Sequence, residues 1–434
     1  MSLVTVDLAQ DELKQLREEG KETGALEALL AAAQAPGADV AAALERFFEA
    51  AAAAPSRHDW PYDEPSALDE IRRARPEGPR RLGVPDPTDL EDRILGAWLG
   101  RCVGCMLGKP VEGRTREQIE KLLRAAEAWE LDDYFPPVAE PPEGVPYPAL
   151  DSNVLRGNIT RSVRDDDTDY TLLGLHILEE NGPDFGPRHV ALQWLNHFPY
   201  YRVYTAERAA YRNLVMEIGP PASATYLNPY REWIGAQIRA DSWGYATPGW
   251  SEKAAELAWR DASISHTGNG IYGEMYFAAL IAAALVTDSL EKALAAATAE
   301  IPLRCRLREA VDDCVLWCVE DHDWQQTWER INAKYGHYHP VHTINNATLV
   351  LMGLLHGGGD FGRAVSIAVM GGWDTDCNGA TAGSVMGALL GASALPRQWV
   401  APLQDTLESA LEGMNINSIS DLARRTLAVA QRVG

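Results

Sequence analysis

Four carboxylates fall in one short stretch, RDDDTDYT (residues 164–171): Asp165, Asp166, Asp167 and Asp169, with Arg164 the lone base beside them. A second acidic turn, GGWDTDCNGATAGS, carries Asp374 and Asp376. Either stretch alone reads as a solvated, capped helix entry. As a pair they carry more weight, because both open a helix and neither has Lys or Arg within its core. If they face one another, each carboxylate pair at ~4 Å costs on the order of 4 kcal/mol at an effective dielectric of 20. Protons or cations must relieve that repulsion. Oxygen-only clusters select hard divalent ions such as Mg²⁺, Mn²⁺ or Ca²⁺, and two such ions offset four carboxylates.

Successive residues on a helix point about 100° apart. Asp165, Asp166 and Asp167 are therefore expected on the turn into a helix that begins near Thr168, with Asp167 or Thr168 as N-cap. The helix N-terminus offsets part of their charge. Asp374 and Asp376 are expected on a turn before a helix of small residues, Gly379, Ala380, Ala382, Gly383 and Ser384. Such a helix lets other backbones approach closely.

The elements that must hold these turns read as helices nearly everywhere from Leu90 onward. The run LEDRILGAWLGRCVGCMLG is one, TLLGLHILEENG another, and NGIYGEMYFAALIAAALV, RLREAVDDCVLWCVEDH, NNATLVLMGLLHG and SISDLARRTLAVAQRV continue the pattern. No run of alternating β-branched residues bounded by turns is visible, so an all-α fold is expected. Residues 5–54 read as two helices. A Pro/Arg/Glu-rich linker follows, so the chain divides into an extension at 1–88 and a main domain at 89–434. The segments 132–164 and 196–250 are long, irregular and rich in Pro and aromatic residues. Tyr200, Tyr201, Tyr204, Trp243, Tyr245 and Trp250 are expected mainly to pack against the core.

The chain has 434 residues, 46% of them hydrophobic, and a formal charge of −23 from 39 basic and 62 acidic residues. That excludes nucleic-acid binding through the bulk field. No apolar run reaches membrane-spanning length, and the first residues show no basic region followed by an apolar one, so a cytoplasmic protein is expected. The six cysteines are then expected to be reduced. Cys102 and Cys105, and likewise Cys314 and Cys318, read as core packing on helices. His337, His339 and His342 fit no zinc spacing.

The chain resembles the ADP-ribosylglycohydrolase family (dinitrogenase reductase-activating glycohydrolase-like). The motifs are RILGAWLGRCVGCMLGKPVEG, RDDDTDYTLLGL, TGNGIYGEM and FGRAVSIAVMGGWDTDCNGATAGSVMGALLGASALPRQW, over roughly residues 89–412. The resemblance implies a compact orthogonal helical domain, here with an N-terminal helical extension, holding two Mg²⁺ or Mn²⁺ ions. It implies metal ligands Asp165, Asp166, Asp167, Asp374, Asp376 and Cys377, catalytic carboxylates Glu112, Asp166 and Asp376, and a substrate-binding Gly268, Asn269 and Gly270. Asp165 stands where the family usually has Thr or Ser, Cys377 where it has Thr, Cys105 where Asp is common, and Glu274–Met275 where many relatives have Met–Arg. The implied activity is hydrolysis of an N- or O-glycosidic bond at C1 of a ribosyl group, on a small-molecule or ADP-ribosylated substrate. A nucleoside or other small N-glycoside is an alternative substrate, and a non-catalytic binding or structural role an alternative function.

Overall fold

The computed structural model describes residues 4–84 and 86–433. Among these the fold is all-α, with twenty α-helices. One antiparallel strand pair, Thr406–Glu408 with Ile416–Ser418, is too short to announce itself by alternation.

The helix Pro87–Gly108 shows why the sequence folds locally as it does. Asp86 caps it, its carboxylate accepting from the amides of Thr88 (2.9 Å) and Asp89 (3.4 Å), and Pro87 sits at the first helical position, where no donor is needed. Its partner is the small-residue helix Thr375–Leu390. Gly96, Gly100 and Gly104 of the first helix lie on Gly387, Gly383 and Gly379 of the second, so close that a Cβ on any of them would overlap a facing backbone carbonyl. Glycine every fourth residue on both helices is what permits the contact. Arg93 locks the far end by donating to the carbonyls of Ala284 (3.1 Å), Thr287 (3.0 Å) and Leu389 (3.0 Å), orphan acceptors at two helix C-termini.

Behind this pair runs Gly268–Ala284, every residue of which is buried. It packs against Ser251–Ala262, Leu290–Thr298, Thr343–Gly357 and Thr375–Leu390. The first part of the extension folds as three helices, Val6–Glu18, Gly24–Ala33 and Val40–Ala52, around a small core of their own that includes Leu13, Leu30 and Phe47, and a fourth helix, Leu68–Ala74, lies in the segment that follows. The expected pair was one short. Gly20, at φ +69°, ends the first helix, and GALEALLAAA then forms a helix itself. Residues 55–84 lie along the main body, where Glu64 pairs with Arg306 (2.8 Å) and the Leu82 amide donates to the Gly249 carbonyl (2.8 Å).

Candidate metal centre

The two acidic stretches meet. Three groups of side chains bring their ligand atoms within 4.8 Å of one another: Cys105 with Asp165 and Asp167, Asp167 with Asp376 and Cys377, and Glu112 with Asp374 and Asp376. Asp167 belongs to the first two groups and Asp376 to the last two, so the groups form one continuous array.

The first stretch enters its helix earlier than expected. Asp165, not Asp167 or Thr168, is the N-cap. Its backbone is extended and its carboxylate accepts from the Asp167 amide (3.0 Å), so the helix runs Asp166–Asn181 and Asp166 and Asp167 stand in its first turn. Arg101, fully buried on Pro87–Gly108, fixes this entry. Its guanidinium donates to the Asp167 carboxylate and carbonyl (both 2.9 Å) and to the Ile238 carbonyl (2.7 Å), and lies 3.0 Å from the Asp241 carboxylate. Asp169 points elsewhere, pairing with Arg164 (2.8 Å) and accepting from the Ala410 amide (3.0 Å).

The second stretch is held by backbone. Gly372 and Trp373 both adopt positive φ, reversing the chain out of Phe361–Met370, and Asp374 caps Thr375–Leu390 with Asp376 in its first turn. Trp373 exchanges bonds with the Glu112 turn: the Gly113 amide donates to Trp373 and the Trp373 amide to Arg114, each at 3.0 Å. Thr375 Oγ1 donates to the Gly108 carbonyl (2.8 Å). These ties fix Glu112, at the exposed rim, against Asp374 and Asp376.

Lys109 was not foreseen as part of the array. Its ammonium pairs with Asp165. Cys105 and Lys109 are four residues apart at the C-terminal end of Pro87–Gly108, where Lys109 is the C-cap, and that spacing was the available signal; Glu112 follows outside the helix, after the turn Lys109–Val111. Burial would raise the Asp165 carboxyl, but the Lys109 charge outweighs it and holds the group below its usual value. Asp374 is pushed well up by burial and by Asp376, and Asp376 by burial and by Glu112 and Asp165. Asp166 is raised by burial and by Asp165. Its carboxylate completes none of the three groups. Burial likewise raises the Cys377 thiol.

These residues fit a hard cation. Among the described residues, Asp376 Oδ1 and Asn378 Oδ1 are buried acceptors without a hydrogen-bond partner. An ion satisfies such atoms where another carboxylate cannot. None of the three groups contains a histidine. His342 caps a helix, and His339 stacks on Trp233 at 4.0 Å.

Gly268, Asn269 and Gly270, expected to contact substrate, lie buried in the first turn of the central helix. The Gly268 amide donates to Ser66, and the Asn269 side chain donates to Glu64 (2.8 Å) and Glu232 (2.9 Å) and accepts from the Leu307 amide (2.9 Å). The linker supplies two of these partners, Ser66 to Gly268 and Glu64 to Asn269. Glu274 is also buried, accepting from Trp243 Nε1 (2.8 Å) within an ion network around Arg239. Trp243 and Tyr245 are core residues, whereas Tyr201 is 81% exposed.

Among the described residues no helix is long and apolar enough to cross a membrane. A search of curated proteins finds no match to the chain. A solved structure described as an ADP-ribosylglycohydrolase-related protein complex is 20% identical over 79% of this chain and 99% of its own, with a TM-score of 0.45. The sequence model of one family, ADP-ribosylglycohydrolase, matches residues 86–433 and so spans both acidic stretches and the glycine helices that join them. The chain belongs to the ADP-ribosylglycohydrolase family.

Proposed function

We propose that the protein is a metal-dependent hydrolase of an N- or O-glycosidic bond at C1 of a ribosyl group, on an ADP-ribosyl protein or a related ADP-ribosyl substrate. The observation that carries this reading is the array in which Asp376 joins Asp167 and Cys377 on one side to Glu112 and Asp374 on the other. Those two groups are the cation positions, and Asp376 is shared between them. Two Mg²⁺ or Mn²⁺ ions, when bound there, supply positive charge against the ribose hydroxyls and so orient C1.

The chain's own residues do the rest. Glu112 stands at the rim, its outer face open to solvent and its inner face packed on the array, and that partial desolvation together with Asp165 raises its carboxyl. A carboxylate so tuned takes a proton from the water that attacks C1. Asp166, half-buried in the first turn beside the array, faces the positive charge that develops at C1 as the leaving group departs. Asp165 is the counter-charge of Lys109 and the cap that sets the helix entry.

Met275, standing where the resemblance implies Arg, favours a second reading of the substrate. It is buried and presents no cation to a diphosphate, which suits a nucleoside or other small N-glycoside. The deciding experiment is a hydrolysis screen with Mg²⁺ or Mn²⁺ over ADP-ribosyl peptides, free nucleosides and ADP-ribose conjugates. Metal-dependent release that Glu112→Gln lowers at least 100-fold, the lower range for a general base, supports the hydrolase. Turnover of nucleosides alone selects the second substrate class. No turnover of any substrate by protein that binds Mn²⁺ overturns the enzyme reading in favour of a binding protein.

A further inference from the structure

Residues two apart on a helix point about 200° apart. On Gly268–Ala284, Gly273 packs against Thr343, in the helix whose Asn346 accepts from the Asp374 amide of the metal centre. Ile271 therefore faces the other way, and there it lines a cavity of about 870 Å³. That lies within the roughly 300–1,000 Å³ of small-molecule sites. Its walls are stiff and apolar, built from Pro187, Pro220, Pro221, Trp259 and Ile271. The linker adds Ser66 and Ala67. Ser66 is held at two points, its carbonyl accepting from Trp259 Nε1 (2.9 Å) and its hydroxyl oxygen from the Gly268 amide (3.0 Å).

The charge around this cavity runs against that of the chain. The sequence holds 62 acidic residues against 39 basic ones. Two other cavities follow that balance, one lined in part by Glu130, Asp132 and Asp360, the other by Glu12, Glu19, Glu45 and Glu49. Among the described residues no carboxylate lines the cavity at Ile271, and exposed Arg188 and His189 stand on its edge. Both belong to the first turn of the helix Pro187–His197. Among the described residues Arg188 has no ion pair and no side-chain hydrogen bond. A cation there opposes the positive end of the helix dipole, so the helix itself gains nothing from it. His189 Nδ1 accepts from the Gly186 amide (2.9 Å), which leaves Nε2 as a donor on an exposed ring. Arg260 fixes the turn that leads into this helix, donating to the carbonyls of Pro183 (2.9 Å) and Phe185 (2.7 Å). The cationic edge is thus preformed.

We propose that this cavity is a second binding site, for a small organic anion with an apolar body. The body seats between Trp259 and the prolines, and the anionic end meets Arg188 and the His189 Nε2 proton at the edge. The positive end of Pro187–His197 acts with the same sign. Binding there needs neither the metal centre nor the glycosidic reaction.

The test is fluorescence titration of the full chain with anilinonaphthalene sulfonate and with phenylnaphthylamine, its neutral counterpart. EDTA is present throughout, so that no ion at the metal centre holds the anion. Wild type should bind the sulfonate saturably, and more tightly than the neutral probe. Arg188→Glu removes an exposed ion pair and sets a like charge in its place. It should raise the sulfonate Kd about tenfold and leave that of the neutral probe unchanged. Ala67→Trp, a large ring at an exposed position on the wall, should weaken both probes. Absence of saturable sulfonate binding overturns the proposal. Binding that Ala67→Trp leaves unchanged lies elsewhere and overturns it as well. Equal affinity for the two probes, or a sulfonate Kd unmoved by Arg188→Glu, shows an apolar pocket without an anion site and does the same.

Discussion

Replacing Asp376 by Asn removes the one carboxylate shared by both proposed cation positions. Its ligand oxygens lie within 4.8 Å of those of Asp167, Glu112 and Asp374. At that separation and an effective dielectric of 20, each ionised pair repels by about 3.5 kcal/mol. Three such pairs would reach roughly 10 kcal/mol, comparable to the whole stability of a folded domain. The apo centre therefore retains protons, in keeping with the raised Asp374 and Asp376 carboxyls. Asn relieves repulsion from any neighbour still ionised. Against that stands the favourable interaction of Asp376 with the N-terminus of Thr375–Leu390, worth at most about 2 kcal/mol for a buried group and less than one relieved ionised pair. The apo variant should melt no lower than wild type.

The metal-bound protein should behave in the opposite way. At Mn²⁺ one hundred times its Kd, binding stabilises the fold by about 2.7 kcal/mol. With an unfolding entropy of about 2.1 cal/mol/K per residue, that raises the Tm of a chain this long by roughly 3 °C. Melts in EDTA and in Mn²⁺ should show that rise for wild type and its loss for Asp376→Asn, with hydrolytic activity lost alongside. Calorimetric titration of Mn²⁺ checks the stoichiometry directly. If Asp376→Asn keeps both the Mn²⁺-induced shift and two bound ions, Asp376 is not the shared ligand and the metal-centre reasoning fails.

Cys377→Thr should shift preference from Mn²⁺ toward Mg²⁺, since oxygen replaces a softer donor; an unchanged ratio of activities in the two metals would show that the thiol faces away from the ions. Gly104→Ala forces a Cβ into the Gly379 carbonyl of the facing helix and should cost about 3 kcal/mol, the upper end for overpacking, read as a fall in the urea midpoint together with weaker Mn²⁺ binding. Truncation to residue 89 should leave Mn²⁺ stoichiometry intact in a soluble product, because no residue of the array precedes Cys105; a soluble truncate that binds none would place the extension in the site. His342, fully buried, has its pKa driven well below 6.5 by burial and then by Arg306. The unfolded chain binds a proton there that the fold refuses, so stability present above pH 6.5 is lost as pH falls below it, by up to 1.4 kcal/mol per pH unit, and His342→Gln should flatten that slope in acid titrations.

Much of this was legible because acidic residues without nearby bases, placed where apolar helices begin, have few structural uses. That reasoning located Asp165–Asp167 and Asp374–Asp376, and the small-residue helix behind Asp374 announced the close approach that the glycine ladder makes. What escaped depends on three dimensions. The cap fell on Asp165 because its own carboxylate found the Asp167 amide, a local choice that three consecutive aspartates leave open. Lys109 was hidden because its pairing with Asp165 joins residues 56 apart. The pairing of Asn269 with Glu64 was hidden because it comes from a linker whose composition suggested only a draped segment.

The two halves of the array differ in how their charge is met, and the difference bears on where cations belong. On the Asp165–Asp167 side the protein supplies its own. Arg101 is rigid, buried and bound to Asp167 at two points, and Lys109 holds Asp165. Among the described residues, Glu112, Asp374 and Asp376 form no ion pair with Lys or Arg, and Asp376 keeps a buried oxygen with no partner at all. Two of the departures that the resemblance implies, Asp165 and Cys105, fall on the neutralised side, whereas Cys377 stands beside Asp376. Asp165 in place of Thr or Ser adds a carboxylate, Cys105 in place of Asp removes one, and Lys109, one turn beyond Cys105, pairs with the carboxylate that was added. The changes compensate one another, and they leave the charge around Asp376 for an external ion to meet.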